Sequence, residues 1–196
     1  SGEIAQNSCI GKFDISIEKY LQIISDKTGC LFGASCKLGG VLSRSDSLQQ
    51  QILEEIGLSL GVNYQLYDDI TDAFGVENVA GKSLGTDFLH HKPTLPVLVL
   101  LAEASSNDYE QIIKLFSSPK KSDKEITLIS NYLQEYDILN KCVTYFNSKL
   151  EKTNLLINSL SNSETKGNLI DFIGSFSAKV STINNLKHSN FLAVHS

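Results

Sequence analysis

Methionine is absent from the 196 residues, arginine occurs once (Arg44), and the three prolines all fall between Pro93 and Pro119. Long proline-free stretches favour helices. A net charge of −5 and a single arginine leave no basic cluster with interleaved aromatics, which argues against a nucleic-acid partner. Four cysteines, Cys9, Cys30, Cys36 and Cys142, form no CxxC pair and no zinc spacing. They are expected to be reduced packing or surface residues, which points to a reducing compartment. No signal-peptide pattern is read, and the longest strongly apolar run, Leu95 to Ala102, is too short to span a bilayer. A cytoplasmic location is expected, with organellar import as the alternative. Strand alternation, internal repeats and a second-domain linker are all missing. With no methionine at position 1, the chain is expected to begin at a processed, cleaved or engineered end.

Helical periodicity fills the rest. At 41% apolar and 20% charged, the composition is that of an ordinary globular chain, and one all-α domain over 1–196 is expected. A first long helix is read over Ser16 to Gly39, with Ser16 as N-cap and Gly39-Gly40 as its stop. A second starts at Ser45 or Asp46 and runs to Phe74, ended by Gly75. Gly75 to Pro93 reads as a long polar loop. Further helices are predicted from Pro93 or Thr94 to Ala104, from Asn107 or Asp108 to Phe116, and from Ser122 or Asp123 to Tyr136. Two more cover Ile138 to Leu160 and, after a polar break over Asn162 to Lys166, the stretch to about Val180. Asn184 to Ser196 is expected to fray.

Chemistry concentrates in Tyr64-Gln65-Leu66-Tyr67-Asp68-Asp69-Ile70-Thr71-Asp72. Asp68 and Asp72 are one turn apart on one helical face, and Asp69 is turned about 100° away. Adjacent acids on helices are mostly solvated surface. Here Leu60, Tyr64 and Tyr67 carry an apolar pattern up to them, and Gly57 and Gly61 permit close helix packing beside them. Like charges on an apolar helix need a compensating cation, and Mg²⁺ is typically held by one or two carboxylates plus substrate phosphates. Lys27-Thr28 sits among Ile23, Ile24, Leu31 and Phe32, where a lysine could meet a metal-bound phosphate. Gly81-Lys82-Ser83 is not a P-loop, because five residues rather than four separate Gly75 from Gly81 and no strand precedes it. Lys82 can still reach a phosphate as a point charge. Asp87 is a further candidate acid, and His90-His91 reads as a solvated pair.

In order along the chain, these segments resemble the trans-isoprenyl diphosphate synthases of the polyprenyl synthetase family. Gly2-Glu3 with Gln6 resembles GExxQ, and Tyr20 to Thr28 resembles YLxIIxxKT. Gly61 to Asp72 resembles GxxFQxxDDxxD, with Tyr64 for the usual Phe. Gly81 to Asp87 resembles GKxxGxD, and Lys92 to Pro96 matches KPTLP. The resemblance covers about residues 2 to 100. It implies an isoprenoid-synthase helical bundle, here its C-terminal part, with the aspartates facing a central cavity. It also implies Mg²⁺-dependent condensation of an allylic diphosphate with isopentenyl diphosphate.

On that resemblance Asp68, Asp69 and Asp72 are metal ligands. Lys27, Gln65, Asp68, Lys82, Asp87 and Lys92 touch substrate, and Lys27, Thr28, Gln65 and Lys82 assist the reaction. A terpene cyclase relative fits the Lys27-Thr28 and 81–87 segments less well. The family's first aspartate-rich motif and its arginines have no counterpart here. Three explanations are weighed, in order: a truncated or processed enzyme, inactive as this piece alone; a chain that pairs with another chain supplying the missing half; or a non-catalytic, structural or regulatory partner subunit. A homodimer or heteromer is implied by the resemblance.

Overall fold

The structure, a computed structural model, describes residues 2–75, 85–118 and 120–186. Among them every regular element is helical, and no strand occurs. The first is α1 (Gly2–Ser8). The expected long first helix is three pieces: α2 (Ile17–Ile24), a π-helical turn over Ser25–Gly29, and α3 (Cys30–Leu42). Ser16 caps α2 as read, its hydroxyl accepting the Lys19 N–H at 3.1 Å. The π turn is signed by the Cys30 N–H, which bonds the Ser25 carbonyl. Such one-turn insertions gather at functional sites, and this one carries Lys27 and Thr28.

The insertion changes which face of α3 meets the core. Leu31 and Leu38 are 71% and 57% exposed. Glycines face inward instead. Gly29, Gly33 and Gly40 lie against Leu58, Leu53 and Gln50 of the next helix. Gly39-Gly40 is therefore not a stop. The helix runs on to Leu42, and the turn comes at Arg44, which has φ 58°.

Helix α4 (Ser47–Phe74) is capped by Asp46, whose carboxylate accepts the Gln49 N–H at 2.8 Å, and ends at Gly75. Both ends agree with the sequence reading. It is the central strut, contacting α2, α3, the π turn and most later helices. Among the described residues of the expected 75–93 loop, Thr86–Leu89 form a helical turn, α5. Then come α6 (Leu95–Glu103), α7 (Ser106–Ser117), α8 (Asp123–Glu135), α9 (Ile138–Asn158) and α10 (Glu164–Leu186). The α7 cap is Ser105 and not Asn107 or Asp108, its hydroxyl accepting the Asp108 N–H at 3.3 Å. Ser122 and Glu125 form a reciprocal capping box on α8. Helix α10 continues to Leu186, past the predicted end at Val180, and residues 187–196 lie outside the described part.

Ile56, Leu66 and Ile70 of α4 are fully buried with Leu95 and Leu100 of α6 and Cys142, Phe146 and Ile157 of α9. Each large apolar side chain contributes about 1.5–3 kcal/mol. Leu66 and Ile70 alternate with the acids along α4, so the same burial that locks the helix fixes where the carboxylates point. No described helix is long and apolar enough to cross a membrane.

Candidate functional site

Four sequence-distant segments meet on one side of α4. The middle acid, Asp69, is 3% exposed. Its Oδ2 accepts the Tyr20 hydroxyl of α2 at 2.6 Å and the Leu95 N–H at the start of α6 at 3.3 Å. Its Oδ1 accepts the Gln65 amide at 3.1 Å. Burial pushes the carboxyl up to about 7, against the lowering effect of the Tyr20 bond, and the nearby Asp87 adds to the rise. A desolvated carboxylate among other acids favours a neighbouring cation.

Asp72 serves a different segment. Its Oδ1 accepts the Thr86 N–H at 3.3 Å and the Thr86 hydroxyl at 2.9 Å, and its Oδ2 accepts the Asp87 N–H at 3.0 Å. Its carbonyl takes the Gly85 N–H at 2.8 Å, and Gly85 sits at φ 70°, a left-handed conformation that glycine adopts without strain. Asp72 thus caps α5 from a neighbouring helix. Burial holds its carboxyl above the ordinary range, opposed by these same bonds.

Asp87 and Lys92 are brought together, but to each other: the Lys92 ammonium donates to Asp87 Oδ1 at 2.8 Å. Burial pulls the Lys92 pKa down. Asp87, helped by Asp69 and Asp72, outweighs it, and the net direction is upward. On the π turn, Lys27 donates to Gln6 Oε1 at 2.6 Å and lies 3.3 Å from Glu3. Thr28 donates to Gln65 Oε1 at 3.3 Å. Gln65 therefore links the Thr28 hydroxyl to the Asp69 carboxylate. Asp68 is half-buried one residue away.

Lys82 lies outside the described residues, as do Gly81 and Ser83. His91 is not solvated as read: its Nδ1 lies 2.6 Å from the Phe116 carbonyl oxygen. Tyr20, Thr86 and the Leu95 N–H were not singled out as site groups from sequence. Tyr20 had a signal, since a buried tyrosine hydroxyl needs a partner. The other two are backbone or short-range groups with none.

A carboxylate offers about four acceptor positions, and Asp69 and Asp72 each spend three on protein donors. Among the described residues no three His, Cys, Asp or Glu side chains converge as a metal cage. An open groove of about 410 Å³ lies between α2, α4 and α9, and none of the acids of 68–72 lines it.

A sequence model of the polyprenyl synthetase family matches residues 1–133. The chain belongs to the polyprenyl synthetase family. Among its relatives, a geranylgeranyl diphosphate synthase of Saccharolobus solfataricus is 27% identical over 70% of this chain and 41% of its own length. A heptaprenyl diphosphate synthase component 2 of Geobacillus stearothermophilus is 29% identical over 87% of this chain and 52% of its own. The solved geranylgeranyl pyrophosphate synthetase of Pyrococcus horikoshii superposes with a TM-score of 0.79 at 26% identity, covering 90% of this chain and 53% of that one. The all-α isoprenoid-synthase fold expected from the motifs is thus the fold of a structural neighbour. The chain spans about half the length of the relatives it matches.

Proposed function

We propose that these residues supply the second aspartate-rich site of a trans-prenyltransferase, which joins an allylic diphosphate to isopentenyl diphosphate to make a longer prenyl diphosphate. The observation that carries this is the bonded chain Thr28–Gln65–Asp69, with Lys27 and Asp72 alongside. Hydrogen bonds join the Thr28 segment to Gln65 and Asp69, and a separate set joins Asp72 to Thr86 and Asp87. The donor set suits Mg²⁺, which binds through few carboxylates and keeps phosphate and water ligands. Asp68 is the carboxylate we assign to it first. Asp69 and Asp72, three-quarters committed to protein donors, hold the helix and α5 in place and offer at most one position each.

Bound Mg²⁺ supplies positive charge that stabilises the departing diphosphate. The protein's residues do the rest. Lys27, aimed by Gln6 and Glu3, adds a second positive charge against the diphosphate oxygens, and Lys82 has the same role from its segment. The Thr28 hydroxyl proton is engaged by Gln65, so the Thr28 oxygen presents lone pairs and not a proton toward a developing allylic cation. Lys92 and Asp87 support the site through Asp72. Apolar walls exclude the water that would quench the cation. A homodimer or a heteromer, and a cytoplasmic location, complete the reading.

A relative named as component 2 of a heptaprenyl diphosphate synthase is equally compatible with a second reading, a partner subunit without activity of its own. Labelled isopentenyl diphosphate, supplied with an allylic diphosphate and Mg²⁺, tests both. Incorporation that Asp68→Ala abolishes supports the enzyme. Incorporation that survives Asp68→Ala contradicts the site. Incorporation by a longer form but not by this chain supports a truncated enzyme; Mg²⁺-dependent diphosphate binding with incorporation by neither favours the partner subunit.

A further inference from the structure

We propose that Tyr20 is a positioning residue for the aspartate site, acting through Asp69; the inference rests on the reading of Asp68 as the metal-binding carboxylate. Tyr20 is 3% exposed in the middle of α2, and its hydroxyl is buried against Asp69 Oδ2 at 2.6 Å. That length is at the short end of the range for a hydroxyl donating to a carboxylate oxygen. It joins segments 49 residues apart in sequence.

Two polar rungs connect the α2–π-turn segment to α4: Tyr20–Asp69, and Thr28–Gln65 at 3.3 Å. The Gln65–Asp69 bond ties the rungs together along α4. The glycine contacts between the π turn and α4 set the distance between the helices but contribute no directional bond. The rungs add direction to a rotation that the burial of Leu66 and Ile70 already restrains. Asp68 follows Tyr67 and precedes Asp69 on the same turn, so a rotation of α4 that lengthened the Tyr20 bond would swing Asp68 as well. The same bond also engages Asp69 Oδ2, which keeps that carboxylate turned toward α2 and α6 and away from a ligand. Tyr20 thereby decides which acid of the pair faces the diphosphate.

Tyr20→Phe keeps the ring and removes only the donor. Losing a partner that orients a metal-binding group typically costs ten- to a hundredfold in metal affinity. The test is calorimetric titration of the chain with inorganic diphosphate in Mg²⁺, for the wild type, Tyr20→Phe, Asp69→Asn, the double variant and Asp68→Ala, with a thermal melt of each. The expected result is about a ten- to hundredfold loss for Tyr20→Phe in a folded chain. The double variant should then be no weaker than the weaker single one. A purely structural tyrosine moves the melt and leaves the affinity of the folded chain alone. Wild-type affinity in Tyr20→Phe, or additive losses in the double variant, overturns the proposal. If Asp68→Ala still loses binding in that case, the metal-site reading stands without it. Wild-type affinity in Asp68→Ala overturns both. Should Tyr20→Phe fail to fold, Tyr20→3-fluorotyrosine keeps packing and strengthens the donor. A shifted affinity supports the role, and an unchanged one overturns it.

Discussion

Gly61 of α4 lies directly on Gly29 of the π turn: a β-carbon at position 61 would stand 2.7 Å from the Gly29 Cα and 3.1 Å from the Thr28 carbonyl oxygen. One turn further along α4 is Gln65, the partner of the Thr28 hydroxyl. The closeness of two backbones thus sets the reach between a threonine and a glutamine at the site. Gly57 repeats the arrangement one turn earlier: a β-carbon there would meet the Phe32 carbonyl and stand 2.7 Å from the Gly33 Cα.

Gly61→Ala is therefore expected to force the backbones apart, because no flexible side chain can yield. Overpacking of this kind costs about 1–3 kcal/mol, and diphosphate binding should fall with it. Gly39→Ala is the control. It sits exposed on α3 with open space around a β-carbon, and should be neutral or stabilising by up to about 1 kcal/mol through helix propensity. Urea unfolding of the two variants checks both signs. Equal stability would mean that the glycine seam is not tight.

Asp72→Ala should release α5. Its carboxylate holds two backbone N–H groups and the Thr86 hydroxyl, and leaving buried donors unpaired costs about 1–3 kcal/mol. Amide exchange at Thr86 and Asp87 should accelerate, while exchange at the α9 core stays slow. Thr86→Val removes one of the three bonds and should give a milder version. Unchanged exchange at both amides would show that Asp72 does not cap this helix.

The helix ends were legible where side chains mark them. Ser16 was readable as a cap and Asp46 and Ser122 were each one of two candidates, whereas the Ser105 cap was missed for Asn107 or Asp108. The π turn was not legible, because an i→i+5 bond leaves no mark in composition. Its consequence, glycines inward and leucines outward on α3, inverts the usual reading of an apolar stripe. The acids of 68–72 were visible as a cluster. Their division of labour was not, since it depends on Tyr20, Leu95 and Thr86, which reach them from other segments.

Thiol reactivity reads the packing independently. Burial pushes the Cys142 thiol well up, and its side chain is fully buried in the core, whereas Cys30 is exposed at the start of α3. The thiolate is the reactive form. Iodoacetamide at pH 8 should modify Cys30 promptly and Cys142 only on unfolding, as peptide mass mapping would record. Early modification of Cys142 in the native chain would contradict the α4–α9 core.

The most direct test of the aspartate site is equilibrium binding of an allylic diphosphate to the 196-residue chain, with and without Mg²⁺, in the wild type and in Asp68→Ala. The account predicts Mg²⁺-dependent binding that Asp68→Ala abolishes while the thermal melt stays close to wild type. Binding that is independent of Mg²⁺, or that survives Asp68→Ala unchanged, would contradict it.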